Sequence, residues 1–184
     1  MVPTLVVLGV IGVLAIWFIA IFNKLTRRRI IANGAWSDID VQLKRRYNLI
    51  PNLVETVKGY AKHEKETLES VIKARQQAID ASGVQQQAQA ENMLTGALRQ
   101  LFALSESYPD LKANTNFLQL QEELTSTENK IGFSRQHYNS TAAQYNESIA
   151  VFPNNVIAGM FSFGDMDFFE LDDDAQREAP QVSF

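Results

Sequence analysis

The hydrophobic pattern opens with an unbroken run. No charged side chain occurs from Val2 to Phe22, and Val, Ile, Leu, Ala, Phe and Trp dominate the stretch. A helix needs about 20 apolar residues to cross the roughly 30 Å hydrocarbon layer of a bilayer, so the run is of spanning length. Trp17 and Phe18 stand toward its C-terminal end, where an aromatic ring reaches the headgroup level. A cleaved signal peptide would carry a basic start, a shorter apolar core and a small-x-small site. Here no Lys or Arg precedes the run, and Asn23, Lys24 and Leu25 follow it. The pattern predicts a retained transmembrane anchor over residues 1–23.

From residue 24 to 152 the pattern changes to apolar positions three and four residues apart, the period of an amphipathic helix. The first stripe runs Trp36, Ile39, Leu43, Tyr47, Ile50, Val54, Val57 and Ala61, then Leu68, Val71, Ile72 and Ile79. It predicts one helix over about 26–81. Pro51 falls inside without shifting the phase, which predicts a kink or short break there. Ala81-Ser82-Gly83 closes the segment, Gly83 suiting a positive-φ position beyond the helix end. A second helix is predicted over 85–108, its face set by Leu94, Ala97, Leu98, Leu101, Phe102, Leu104 and Tyr108. Its Gln- and Ala-rich start, Gln85 to Ala90, reads as a solvated turn. A third is predicted over 116–152, with Asn116 and Gln119 resembling a capping box. Its stripe of Phe117, Leu120, Leu124, Ile131, Tyr138, Tyr145, Ile149 and Phe152 approaches a heptad repeat, as in coiled coils. Gly132 inside this helix predicts close approach of a neighbour. Short turns between long helices make antiparallel neighbours. The predicted fold is all-α: a transmembrane helix followed by a long up-down antiparallel bundle.

Residues 153–184 form a third region. Pro153-Asn154-Asn155 breaks the helix, and the stretch beyond holds Phe161, Phe163, Phe168 and Phe169. These four are candidate interface residues, packing either back along the bundle or against another subunit. Seven acidic residues, Asp165, Asp167, Glu170, Asp172, Asp173, Asp174 and Glu178, follow against Arg177 alone. An acidic run of this kind reads as a solvated tail; the spaced ligands of a calcium loop are missing.

Charge sets the orientation. Lys24, Arg27, Arg28 and Arg29 flank the span directly, and Lys44, Arg45 and Arg46 follow. Basic flanks stay cytoplasmic, which predicts a single-pass protein of the cell membrane with its N-terminus outside and its body in the cytoplasm. The same four flanking residues suit anionic lipid headgroups. Overall the chain carries a net charge of −4 and no cysteine. Disulfides, thiolate metal sites and cysteine nucleophiles are thereby excluded, and no basic face marks a nucleic-acid binder.

Candidate chemistry is sparse. The two histidines, His63 and His137, have Tyr60 and Ser134 three residues before them, not the Glu a di-iron bundle requires. His63-Glu64 begins like a zinc-protease motif but lacks the second His. No phosphate loop, nucleophile elbow or dinucleotide turn occurs. The sequons at Asn139 and Asn146 lie in the region expected to be cytoplasmic. Glu128 and Arg135 beside the stripe suggest structural ion pairs, the former with Lys44, Arg45 or Arg46. No catalytic residue, metal, cofactor or small-molecule substrate is expected.

Residues 35–46, Ala-Trp-Ser-Asp-Ile-Asp-Val-Gln-Leu-Lys-Arg-Arg, followed by Leu49-Ile50-Pro51-Asn52-Leu53-Val54, resemble the LemA family of bacterial proteins. The likeness continues through Tyr60-Ala61-Lys62-His63-Glu64, Tyr108-Pro109-Asp110-Leu111-Lys112-Ala113-Asn114 and residues 118–124. It closes at Phe152-Pro153-Asn154-Asn155 and the final Pro180-Gln181-Val182-Ser183-Phe184. Asn48 stands where the family commonly has Asp, so no role for an acid carries over there. The resemblance implies a single-span protein with a helical domain and no established catalytic residues. Members encoded near membrane zinc proteases hint at envelope quality control. Two functions are expected from different classes. One is a non-enzymatic scaffold that self-associates in the envelope, a homo-oligomer whose partner is the lipid bilayer. The other is an adaptor docking a membrane protease or another envelope enzyme.

Overall fold

A computed structural model describes residues 2–170. They are all-α, with no strand among them: α1 (Val2–Tyr60), α2 (Lys65–Asp80), α3 (Val84–Ser105), α4 (Pro109–Lys112), α5 (Thr115–Ala150) and α6 (Asn154–Met160). Among the described residues one helix, α1, is long and apolar enough to cross a membrane. The chain divides into two compact units. The first takes residues 2–41 together with Gly132–Phe168; the second takes Gln42–Ile131 with Phe169 and Glu170.

In the second unit, hydrogen bonds and ring contacts trace the up-down order. The Tyr47 hydroxyl on α1 lies 3.4 Å from the Ala78 carbonyl on α2, while Tyr60 and Lys65 at the opposite ends are near in sequence, so the pair is antiparallel. Gln87 on α3 reaches the same Ala78 carbonyl at 3.0 Å, turning α3 back along α2. The Phe102 and Phe117 rings meet at 6.2 Å, and Arg46 bridges toward both Thr95 and Glu128, which makes α3 and α5 antiparallel. Four helical segments thus alternate in direction. Their apolar stripes converge: Leu43, Ile50, Leu53, Val57, Val71, Leu94, Leu101 and Phe117 are all buried. Each such side chain removed from water contributes about 1.5–3 kcal/mol.

In the first unit, α1 pairs with the later part of α5. Trp36 stacks edge-on against Tyr138 at 5.2 Å, and Arg28 donates to the Gln144 carbonyl. Ile21, Leu25, Tyr145, Ile149, Ile157, Ala158 and Phe163 form the core, so α6 folds back against α1. Beyond α6 the chain returns along α5: Asn146 exchanges two hydrogen bonds of 2.9 Å with Met166, and Tyr138 donates to the Asp167 carbonyl at 2.8 Å.

Several expectations are corrected. The helix expected over 26–81 is two: α1 continues through Pro51 to Tyr60, and α2 restarts at Lys65. Proline removes the donor that would satisfy the carbonyl four residues earlier, that of Tyr47. Arg75 on α2 supplies one instead, its Nε donating to that carbonyl at 2.8 Å. The break at 61–64 leaves no mark in the stripe because Ala61 and Leu68, seven residues apart, face one core in one phase. The third helix is capped by Asn114, not Asn116: the Asn114 Oδ1 accepts from the Phe117 amide at 3.0 Å. The solvated reading of Gln85–Ala90 fails at Ala88 and Ala90, which are buried. Gly132 has nothing within 4 Å of where a Cβ would stand, so no close helix approach explains it. Gly83 does have positive φ, at +80°, between α2 and α3. Asn154–Met160 forms a short helix, α6, where only a break is expected. The acidic tail beyond Glu170 lies outside the described residues.

Candidate functional site

The second unit buries a charge cluster where an ordinary bundle would bury leucines. Arg46 and Glu91 are almost entirely shielded from solvent, and their side chains meet at 3.0 Å. The other arm of the Arg46 guanidinium donates to Thr95 Oγ1 at 2.8 Å, and Glu128 on α5 approaches the Glu91-paired nitrogen to 3.1 Å. Glu91 also accepts from the Tyr47 hydroxyl and, at 3.1 Å, from Gln87 Nε2. Gln87 in turn contacts the Tyr47 hydroxyl at 2.9 Å. One carboxylate is therefore held by three donors from α1 and α3.

Two influences oppose each other at Glu91. Burial favours the neutral acid, whereas Arg46, Tyr47 and Gln87 favour the carboxylate; burial is the larger, and the group is pushed above the usual carboxylate range. Burial, then the neighbouring Glu91 charge, pushes the Tyr47 phenol up as well, so it remains a donor. Arginine cannot give up its proton in this setting. The cluster is thus suited to holding charge in place and to fixing which helix faces which.

A second polar contact joins the ends of the helices. Glu64 accepts from the Tyr108 hydroxyl at 3.0 Å, which raises the phenol's pKa, and Asn114 Nδ2 donates to the Tyr60 hydroxyl at 2.8 Å. The segments 60–64 and 108–114, separate in sequence, meet here. At the surface, Arg45 stands 4.0 Å from Glu123. Between exposed partners such a pair contributes little.

The residues singled out from sequence fall as follows. Lys24, Arg27, Arg28 and Arg29 follow the apolar run on α1. Arg28 is spent on the Gln144 carbonyl, and the Arg29 guanidinium lies 4.9 Å from the centre of the Phe163 ring. The four phenylalanines divide: Phe163 and Phe169 are buried, whereas Phe161 and Phe168 remain about half exposed. Phe161 packs against Phe22 and Phe18 at 4.8 and 5.9 Å. Of the ion pairs considered for Glu128, that with Arg46 forms. Sequence reasoning missed Glu91, Gln87, Thr95 and Arg75. A signal existed for two of them: Gln87 and Glu91 lie in phase with Leu94, Leu98 and Leu101, so polar groups occupy an apolar stripe.

These features define an all-α protein with one N-terminal helix fit to cross a membrane and a bundle pinned by a buried ion cluster. Residues 35–184 match the model of the LemA family, and the chain belongs to that family. It is 31% identical over 153 residues to Protein LemA of Metamycoplasma hominis, covering 80% of this chain and 68% of that one. It is 23% identical over 164 residues to the magnetosome protein MamQ of Magnetospirillum gryphiswaldense, covering 75% and 60%. Magnetosome protein MamQ 2 of Paramagnetospirillum magneticum is similar at 24% over 160 residues, covering 73% and 59%. The chain therefore spans about three fifths of the MamQ relatives.

Proposed function

We propose that this protein is a single-pass membrane scaffold that catalyses no reaction, associates with copies of itself, and carries its helical body in the bacterial cytoplasm. The observation that carries the reading is α1. It is one helix of 59 residues whose start is apolar and exposed, and whose later turns supply buried faces to the folded body. Attachment and architecture are thus one element. Orientation rests on the basic flank at Lys24–Arg29.

Self-association is supported by apolar side chains left in water beyond the span. Ile30, Ile31 and Val41 on α1 and Phe133 on α5 are all exposed, Phe133 to 74%. Ile30 and Val41 are separated by about three turns and share a face. Exposed apolar residues clustered by helical spacing are the mark of an interaction surface. A relative named as a magnetosome protein supports the reading of a membrane-associated helical protein.

Native mass spectrometry of the full chain, released from lipid nanodiscs, tests this. The expected result is a defined oligomer that dissociates when Ile30→Glu and Val41→Glu are combined, with helix content unchanged. A monomer at every concentration overturns self-association.

A further inference from the structure

The α5–α6 turn presents an apolar exposed surface outside the span. From Ser148 to Gly164 no residue carries a charge. Phe152 is exposed to 81%, Met160 to 65% and Val156 to 55%, and Val151 and Phe161 are also exposed. On the opposite face, Ile157 and Ala158 pack into the core with Ile21 and Leu25 of α1. The helix α6 is therefore two-faced, and its outward face has been left to whatever surrounds the start of α1.

Its height along α1 identifies that surrounding. The Phe161 ring touches Phe18 and Phe22, residues of the apolar run itself. Phe18 precedes Lys24 by six residues, about 9 Å along a helix axis. The turn thus lies on the span side of the first basic residue, at the level where acyl chains begin. Amphipathic segments that rest in a membrane surface bury their apolar face about 5–10 Å into the headgroup and acyl boundary, the same depth. Lys24 and Arg27 stand one to two turns above, positioned for anionic headgroups. Arg29, over the Phe163 ring, ties the flank to the segment that follows α6.

We propose that residues 151–161 form a second, monotopic membrane contact, seated in the leaflet from which α1 emerges, with lipid acyl chains covering Phe152, Val156 and Met160. This rests on the reading of α1 as a membrane span. The contact would fix the tilt and rotation of α1 relative to the bilayer, which a lone span leaves free.

The chain has no cysteine, so single cysteines can be placed and labelled with the environment-sensitive dye NBD. The full-length protein, reconstituted in phosphatidylcholine and phosphatidylglycerol vesicles, would carry the dye at Phe152→Cys or Met160→Cys. Ile11→Cys serves as the span control and Gln136→Cys as the aqueous one. Two readouts are needed: quenching by phosphatidylcholines bearing a doxyl group either high or deep on the acyl chain, and reduction by dithionite supplied on both sides of the membrane.

The expected result is that labels at 152 and 160 lose most of their emission to the doxyl lipid and are protected from dithionite, whereas the label at 136 behaves oppositely. If the label at 11 is lipid-quenched but those at 152 and 160 are reduced freely, the second contact is overturned and the span stands. Protection without lipid quenching means that protein covers the turn, and also overturns it. If the label at 11 escapes lipid quenching, the span fails and the second contact with it.

Discussion

Glu91 is the buried carboxylate on which the donors of α1 and α3 converge. Removing one partner of a buried ion pair leaves an uncompensated charge and costs about 3–5 kcal/mol. Arg46→Met should therefore lower stability by that order in chemical denaturation of the full chain in detergent. The pH dependence has an unusual sign. Because burial raises the Glu91 pKa in the folded protein, the native state holds this proton more tightly than the unfolded chain does. Its contribution to stability is then fully present below the unfolded pKa and falls as pH rises toward the folded one. The stability gap between wild type and Glu91→Gln should accordingly narrow as pH rises above the ordinary carboxylate range. A gap that stays constant above the ordinary carboxylate range and closes only as pH falls below it would mean that Arg46, not burial, governs the site. Gly132 supplies a second test at this scale. With open space at its Cβ position, Gly132→Ala should raise stability by about 1 kcal/mol, measured as a higher melting temperature.

At the scale of elements, the join between α1 and α2 concentrates what sequence reasoning could and could not read. The apolar run and the stripes were legible because composition and period report them directly. The hairpin at 61–64 was not, because two antiparallel helices facing one core can continue a single phase across their turn. Pro51 suggests a break instead, yet Arg75 donates to the Tyr47 carbonyl that Pro51 leaves unpaired, and no local pattern shows a partner 28 residues away. The buried cluster is half legible: the stripe suggests a pairing of Glu128 with Arg46, while Glu91 sits beside a run whose composition reads as solvated. The Arg75 account makes a coupled prediction. Arg75→Met should cost about 1–3 kcal/mol, the penalty for an unsatisfied buried acceptor. In a Pro51→Ala background the restored amide can serve the Tyr47 carbonyl, and the cost of Arg75→Met should be smaller. A double-mutant cycle in urea measures the difference; equal costs in both backgrounds would sink this explanation of how α1 passes Pro51 unbroken.

For the whole molecule the governing asymmetry is electrostatic. Basic residues gather directly after the apolar run and acidic ones toward the C-terminus, with the net charge at −4. Membrane insertion weighs Lys and Arg close to a span far more than distant Asp and Glu, so the tail should contribute little to orientation. Arg28 and Arg29 are engaged with Gln144 and Phe163, which makes them poor choices for isolating a charge effect. Lys24 and Arg27 are the better handles. Lys24→Gln with Arg27→Gln, combined with Val2→Lys and Thr4→Lys, moves positive charge from one end of the run to the other without touching those contacts. Protease protection of a C-terminal epitope in inverted membrane vesicles should then show a fraction of molecules turned over, whereas the wild type is digested throughout. Lys44, Arg45 and Arg46 remain in place and limit the inversion. If the relocated charges leave orientation unchanged, the folding of the body, which α1 shares through its later turns, must fix the topology ahead of the flank.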